Sequence, residues 1–197
     1  MATAFGKTEQ DEIRSILRRS AWNHACSEGM KNTSVDQLSA EAGISKGAFY
    51  HFYRCKELLF LEVLSGWHQQ LFENVEAFMK ENSALAPEEL AKVSLKKALH
   101  LLLYKPAAKF ILTERDILLR RVSPEAREKL YRSDDVIVRK LIDICGVTLN
   151  IPIDTAVGMV RLLLVSVCHA DEIGPAYDDV IEKLIDGAVT QFTGSVI

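Results

Sequence analysis

The sequence predicts an all-α protein: a small N-terminal unit of three helices, followed by a larger unit made of further helices. Apolar residues recur along the chain at spacings of three and four, which place them on one face of an α-helix. The alternation of apolar and polar residues that marks a half-buried strand does not extend beyond a few positions. Helix-capping residues and glycines stand between the apolar segments, where helices would begin and end.

Length and composition fit such a fold but indicate little about function. With 197 residues and a hydrophobic fraction of 48%, the chain can form one large or two small domains with a substantial core. Its 24 Lys and Arg residues and 27 Asp and Glu residues give a net charge of −3, which does not indicate a nucleic-acid-binding protein. A DNA-binding function would therefore have to depend on where individual charges lie.

The N-terminal unit begins with a helix predicted over residues 9–28. One face of this helix carries Ile13, Ile16, Leu17, Ser20, Ala21 and His24. A second, short helix follows Ser34, because Ser34 can cap it and Gln37 can reach back to complete a capping box. Gly43 supplies the left-handed residue that ends this helix, and Ser45 caps a third.

The third helix is too polar and too small-sided to be explained by burial alone. Two helices joined by a short turn that contains glycine form a helix-turn-helix, whose second helix enters the major groove of DNA. Gly47 and Ala48 would let the backbone approach DNA closely. The charged side chains from residue 45 to residue 56 are all basic, namely Lys46, Arg54 and Lys56. A solvated surface turn, the alternative, does not account for two caps, a glycine turn and a basic stretch occurring together.

We predict that the DNA-contacting residues lie between positions 33 and 56. They are groups that can approach or hydrogen-bond phosphates and base edges: Thr33, Ser34, Ser45, Lys46, Gly47, Ala48, Tyr50, His51 and Lys56.

A specific motif runs through this segment as Ala42-Gly43-Ile44-Ser45-Lys46-Gly47, then Phe49-Tyr50, then Lys56-Glu57-x-Leu59. It resembles the TetR family of bacterial one-component repressors, over roughly the first third of the chain. The resemblance implies a helix-turn-helix DNA-binding domain at residues 1–54 and a helical effector-binding and dimerisation domain at residues 55–197. It also implies a ligand-responsive repressor that binds a palindromic double-stranded DNA operator as a homodimer and is released by a small-molecule effector.

Some positions depart from the family pattern. Phe52 stands where His or Tyr is usual, Tyr53 stands where Phe is usual, and Arg54-Cys55 replaces the common Pro-Ser or Lys-Ser. None of these changes removes a DNA-facing group. Cys55 lies between two basic residues at a helix N-terminus, where a thiol pKa is lowered and reactivity is favoured. The hypothesis of a redox-sensitive Cys55 stands beside that of an exchange without regulatory effect.

The C-terminal domain is predicted to be helical throughout. The fourth helix begins near Cys55 and reaches about residue 81, so it is long enough to belong to both domains. Further helices are predicted over residues 87–106, 107–112, 114–121 and 123–145, then after a cap at Asp154, and finally from Tyr177 to Phe192.

The last two helices are the most apolar. In a dimer they would pair with their copies as a four-helix bundle, which buries a surplus apolar face in an isologous interface. Alternatively, both helices close the core of the monomer. Helix-turn-helix proteins generally bind DNA as dimers at two half-sites, which favours the homodimer.

Candidate effector contacts are the polar and large side chains within the apolar C-terminal helices, namely Trp67, His100, Tyr104, Tyr131, Met159 and Arg161. Arg161 could clamp a carboxylate or phosphate ligand, or it could pair with an acid on a neighbouring helix or across a dimer. His100 and Tyr104 could equally be packed core residues. The apolar surroundings predict a largely apolar effector.

The sequence argues against an enzyme and predicts no metal and no cofactor. It contains no glycine-rich phosphate loop, no GxSxG and no HExxH motif. A helical interaction module or an enzyme without DNA binding remains the alternative. The absence of a secretory signal and of any apolar segment long enough to span a bilayer predicts a cytoplasmic protein without a membrane segment.

Overall fold

A computed structural model describes residues 6–103 and 108–194, without the side chain of Lys109. This part of the chain is helical and contains no strand, which confirms the predicted all-α fold. In chain order the helices are α1 (Lys7–Cys26), α2 (Val35–Glu41), α3 (Lys46–Phe52), α4 (Lys56–Glu81), α5 (Pro87–Leu103), α6 (Ala108–Thr113), α7 (Arg115–Arg121), α8 (Pro124–Cys145), α9 (Ile153–Ser166), α10 (Ala170–Ile173) and α11 (Tyr177–Thr193). Short 3₁₀ helices, Val167–His169 and Gly174–Ala176, precede and follow α10.

Some predicted helix ends differ from the structure. Helix α1 begins at Lys7 and ends at Cys26, two residues earlier at each end than predicted. Helix α9 begins at Ile153 after Pro152, so Asp154 lies in the first turn and does not cap the helix. The Asp154 carboxylate accepts a hydrogen bond from the Arg139 guanidinium. The predicted end of the fifth helix at residue 106 lies outside the described residues.

The chain separates into two compact units. Among the described residues, the first unit comprises 6–67 and 109–127, and the second comprises 68–103, 108 and 128–194. Helix α4 contributes its first twelve residues, 56–67, to the first unit and the rest to the second. These units are defined by packing, so the functional boundary between residues 54 and 55 remains a prediction.

The core of the first unit fixes the short helices α2 and α3. Seven residues are too few for a helix to be stable alone in water, so α3 depends on tertiary packing. Phe49, at its centre, is fully buried, and its ring centroid lies 5.9 Å from that of Tyr53. Leu17 of α1 and Leu38 of α2 are also fully buried. This core leaves the N-terminal end of α3 at the surface.

One apolar stretch in the second unit corrects a prediction. The segment Ile153–Thr193 contains an 18-residue window with a mean hydropathy of 1.5, of which 28% is buried. By length and composition alone such a segment could cross a membrane, contrary to the expectation that no segment could. In the structure it is divided among α9, α10, α11 and two 3₁₀ helices.

Candidate nucleic-acid interface and effector cavity

Hydrogen bonds at the helix ends build the helix-turn-helix. Ser34 Oγ accepts from the Gln37 backbone N–H at 3.1 Å, and Gln37 Oε1 accepts from the Ser34 N–H at 2.7 Å, which completes the predicted capping box. Gly43 has a φ of +67°, so the turn uses the left-handed conformation that favours glycine. Ser45 Oγ then accepts from the Ala48 N–H at 3.1 Å and caps α3.

The N-terminal edge of α3 faces solvent. Ser45, Lys46 and Gly47 are exposed, Ala48 is half-buried, and Tyr50 is 48% exposed although it is aromatic. His51 and Ser34, two further predicted contacts, are exposed as well. This edge therefore presents small and hydrogen-bonding groups outward, as a recognition helix must.

Gly47 is not explained by the protein's own packing. It does not adopt the left-handed conformation that favours glycine. A Cβ added at this position would meet one described atom within 4 Å, the Ser45 Oγ at 3.8 Å. Glycine lowers the stability of a helix relative to alanine, so its presence calls for another reason. Close approach of a second molecule to the backbone provides one.

Lys46 is paired within the protein. Its Nζ lies 2.8 Å from Asp36 Oδ2. Both side chains of this pair, Lys46 on α3 and Asp36 on α2, are exposed. This hydrogen bond raises the pKa of the Lys46 ammonium. The ammonium remains at the surface, where a phosphate can compete for it.

Two predicted DNA contacts, Thr33 and Lys56, also hold together the loop of residues 29–33, which is part of the connection from α1 to α2. Thr33 is 1% exposed, and its hydroxyl donates to the Gly29 carbonyl at 2.8 Å, so its side chain is not available at the surface. Lys56 Nζ donates to the carbonyl oxygens of Met30 at 2.7 Å and Thr33 at 2.5 Å. Both side chains stabilise the loop in this structure.

A third group that holds this loop was missed in the sequence. Glu114, at the start of α7, is 7% exposed, and its carboxylate accepts from the Met30 N–H at 2.5 Å and the Lys31 N–H at 3.4 Å. The carboxylate also fills the space beside Gly29, which has a φ of +86°. A Cβ there would lie 2.7 Å from Glu114 Oε1. The loop therefore has an anionic partner at its amides and a cationic partner at its carbonyls.

The unusual aromatic pair at the end of α3, Phe52 and Tyr53, packs in an ordered cluster. Tyr53 is 6% exposed, and its hydroxyl donates to Glu62 Oε2 at 2.9 Å. Burial and this carboxylate raise the pKa of Tyr53 to about 12. The Arg14 guanidinium lies over both the Phe52 and the Tyr53 rings, at 5.4 and 5.5 Å from their centroids. The departures from the family pattern thus retain an ordered aromatic cluster.

The environment of Cys55 contradicts the hypothesis of a lowered thiol pKa. Burial raises the pKa of Cys55, and this effect outweighs the lowering by backbone hydrogen bonds with Leu58 and Glu57. The Lys56 ammonium that was expected to favour the thiolate is directed to backbone carbonyls of the 29–33 loop. Cys55 is thus a half-buried neutral thiol near neutral pH.

A direct test of Cys55 is its alkylation rate. Only the thiolate reacts with iodoacetamide, so a raised pKa means slow modification near neutral pH and a rate that increases as pH rises through the thiol's pKa. Mass spectrometry of the Cys55 peptide should show slower labelling in the folded protein than in the denatured chain. Faster labelling in the folded protein would restore the hypothesis of a reactive thiol.

The second unit contains an apolar cavity that is partly open to solvent. Side chains that line it include Phe72, Val75 and Met79 of α4, Val138 and Leu141 of α8, and Phe192 of α11. Ser94 of α5 is the one residue with a hydroxyl group among the described residues that line the cavity. A predominantly apolar wall of this kind is typical of pockets that bind small molecules.

The described candidates for effector contacts lie elsewhere. Trp67 is buried in the first unit, Met159 is half-buried on α9, and His100 borders a separate surface groove with Tyr177 and Glu182. Tyr104 lies outside the described residues. The helices were predicted correctly, but their apolar sequences did not indicate which face lines the cavity.

Arg161 has partners on the neighbouring helix α8. Its guanidinium donates to the Asp135 carboxylate and, at 3.2 Å, to the Tyr131 carbonyl, and it lies 5.3 Å from the centroid of the Tyr131 ring. The alternative that Arg161 pairs with an acid on a neighbouring helix therefore describes this structure. Arg161 and Tyr131 form one polar cluster outside the cavity wall.

Comparison with known proteins agrees with the geometry of the helix-turn-helix. Residues 20–63 match the family model described as bacterial regulatory proteins, tetR family. The uncharacterised HTH-type transcriptional regulator YdgC of Bacillus subtilis (strain 168) is 27% identical over 86 residues. That match covers 44% of this chain and 44% of the relative, so it spans less than half the length of the relative.

Two solved structures share the fold over nearly the whole chain. A TetR-family transcriptional regulator from Pectobacterium atrosepticum has a TM-score of 0.66 and 20% identity, with 93% of each chain covered. RolR, in complex with resorcinol, has a TM-score of 0.64 and 16% identity, with 95% of this chain and 90% of that chain covered. Residues 20–63 therefore match the helix-turn-helix domain of the tetR family, and the chain as a whole shares the fold of these two regulators.

Proposed function

We propose that this protein is a ligand-responsive repressor that binds a palindromic DNA operator as a homodimer and is released by a small molecule. The observation that carries the proposal is the exposed N-terminal edge of α3, where Gly47 has no internal reason to be glycine. Ser45, Lys46, Ala48, Tyr50 and His51 are proposed to contact DNA from the same edge.

The proposed dimer is supported by an exposed apolar face on the last long helices. Leu162 of α9 is 72% exposed, and Val180 and Leu184 of α11 are 40% and 52% exposed. Gly158 precedes Leu162 by one helical turn, and it is exposed with no described side-chain contact within 4 Å of an added Cβ. A second copy would cover these side chains, and isologous pairing is the commonest arrangement that does so.

The proposed response to a ligand is supported by the cavity and by the path of α4. This helix runs without interruption from Lys56, which holds the 29–33 loop, to Phe72, Val75 and Met79 on the cavity wall. A ligand shifts the protein toward the conformation that it binds more tightly. A conformation in which α4 is displaced would alter the loop and thus the spacing of the two recognition helices. The complex of RolR with resorcinol supports a small-molecule effector.

The test is DNA binding by a matched pair of glycine variants. Fluorescence anisotropy would use fragments from the region upstream of the protein's own gene. Gly47→Ala should retain or raise the melting temperature, because alanine is the better helix former by up to about 1 kcal/mol. It should nevertheless weaken operator binding by about 10-fold or more, since the methyl group would intrude on a close backbone contact.

Gly66→Ala is the matched control. Gly66 is an exposed helical glycine of α4 with no described side-chain contact within 4 Å of an added Cβ. This variant should show a similar stability and an unchanged operator affinity. If the protein shows no salt-dependent binding to any of the upstream fragments, the repressor proposal is contradicted and a helical interaction module is favoured. Equal operator affinities of the two variants would remove α3 from the interface.

A further inference from the structure

The Ser94 hydroxyl is the one buried side-chain polar atom among the described residues that has no hydrogen-bond partner. Ser94 is 5% exposed, and it lies on the wall of the cavity in the second unit. Buried polar groups are nearly always hydrogen-bonded, so an unpaired hydroxyl in a natural protein requires an explanation.

Other helical hydroxyls in this chain avoid this situation. Ser39 donates to the Val35 carbonyl at 2.7 Å, and Thr190 donates to the Asp186 carbonyl at 2.8 Å, each closing back on the preceding helical turn. The Ser94 hydroxyl could donate to the Leu90 carbonyl in the same way, but it does not make this hydrogen bond. This hydroxyl therefore keeps both its donor and its acceptor capacity, although its oxygen is shielded from the cavity by the rest of the wall.

The remainder of the described wall excludes a charged ligand. It contains no Lys, Arg, His, Asp or Glu side chain. A carboxylate, phosphate or ammonium would lose its hydration there without gaining a partner, which is strongly unfavourable. The other polar side chain among the described lining residues is Cys145, and burial raises the pKa of its thiol to about 11, so it is neutral.

We propose that Ser94 is the polar anchor of the effector cavity, and that the effector is an uncharged, largely apolar molecule carrying a hydroxyl or carbonyl oxygen. This inference rests on the proposed function, since it specifies the chemistry of the ligand at the same site. The apolar wall binds the body of the molecule, and its oxygen pairs with the Ser94 hydroxyl after a rotation about the Ser94 Cα–Cβ bond turns that hydroxyl toward the cavity. Selectivity for oxygen-bearing over purely hydrocarbon ligands then depends on this one side chain.

The experiment uses the full chain and three probes with one carbon frame: naphthalene, 2-naphthol and 2-naphthoate. Calorimetry or intrinsic fluorescence measures their affinities. Wild type should bind 2-naphthol about 10-fold more tightly than naphthalene, the amount that one hydrogen bond supplies, and should bind the charged 2-naphthoate most weakly. Ser94→Ala should lose the preference for 2-naphthol and keep its affinity for naphthalene. Ser94→Thr, which retains a hydroxyl, should keep the preference.

A stability measurement separates a ligand anchor from a structural serine. Removing an unpaired hydroxyl should leave the melting temperature of unliganded Ser94→Ala equal to or above that of wild type, whereas loss of a structural hydrogen bond would lower it. A lower melting temperature, an unchanged preference in Ser94→Ala, tightest binding of 2-naphthoate, or binding of no probe would each overturn the anchor.

DNA binding is measured on the same samples, so that the two proposals fail separately. Ser94→Ala should bind the operator like wild type. Ser94-dependent binding of 2-naphthol without release of DNA supports the anchor but contradicts ligand-induced release. If the protein binds the operator normally but binds none of the three probes, the anchor is overturned and the DNA-binding proposal stands.

Discussion

Replacing Glu114 with alanine is expected to destabilise the first unit by about 3 kcal/mol and to abolish operator binding. The carboxylate accepts from the buried Met30 amide and from the Lys31 amide, and alanine leaves those donors without their acceptor. The 29–33 loop is part of the connection from α1 to α2, so its loosening would move α2 and α3. Urea denaturation measures the stability, and anisotropy measures DNA binding.

Two further variants sharpen this prediction. Glu114→Gln retains the size and one acceptor oxygen, so it should lose less stability than the alanine variant. Asp116→Ala removes an exposed carboxylate of the same helix, whose partner among the described residues is its neighbour Arg115 at 3.0 Å. It should change stability by less than about 0.5 kcal/mol. A Glu114→Ala protein that unfolds at the wild-type urea concentration would show that the loop does not depend on this carboxylate.

Introducing glutamate at Leu162 and Leu184 together is expected to convert the proposed dimer into a folded monomer. Two charges facing their copies across an apolar interface would repel and be poorly hydrated. The monomer should fold, because both side chains are more than half exposed in the single chain. Operator affinity should fall by about 100-fold or more, because one recognition helix would then act without the other. Analytical ultracentrifugation gives the mass, and anisotropy gives the affinity.

Val136→Glu is the control for this substitution. Val136 is 66% exposed and apolar but lies on α8, outside the proposed interface. This variant should remain dimeric and bind the operator normally. A monomeric wild-type protein would refute the dimer. If that monomer also bound lipid vesicles through the Ile153–Thr193 segment, the exposed apolar face would be a membrane contact.

Features encoded by neighbouring residues could be predicted from the sequence. The capping box of Ser34 and Gln37 spans four positions, and Gly43 and Ser45 mark the turn and the next cap. The physical determinants of such local structure lie within one or two helical turns. For the same reason α8 could be placed between Pro124 and Cys145.

Features that depend on distant contacts could not be predicted. Glu114 lies 84 residues from Met30, and no periodicity indicates that its carboxylate meets a loop amide. The sequence around Cys55 showed two basic neighbours but not the burial that raises the pKa of the thiol. Arg161 was recognised as unusual, but Asp135 is 26 positions away and on another helix. Ser94 drew no notice because its significance lies in a missing partner.

The Lys46–Asp36 pair has a consequence for how ionic strength affects the search for an operator. DNA affinity falls with salt in proportion to the number of protein cations that displace counterions from phosphates. A lysine that already holds an internal carboxylate must exchange one anion for another, and it therefore contributes less to this term than a solitary lysine. The chain charge of −3 adds no general attraction to a random duplex, which must come from the placed cations. Residence on DNA should accordingly be governed by the fit of α3 to its bases more than by general attraction to the polyanion.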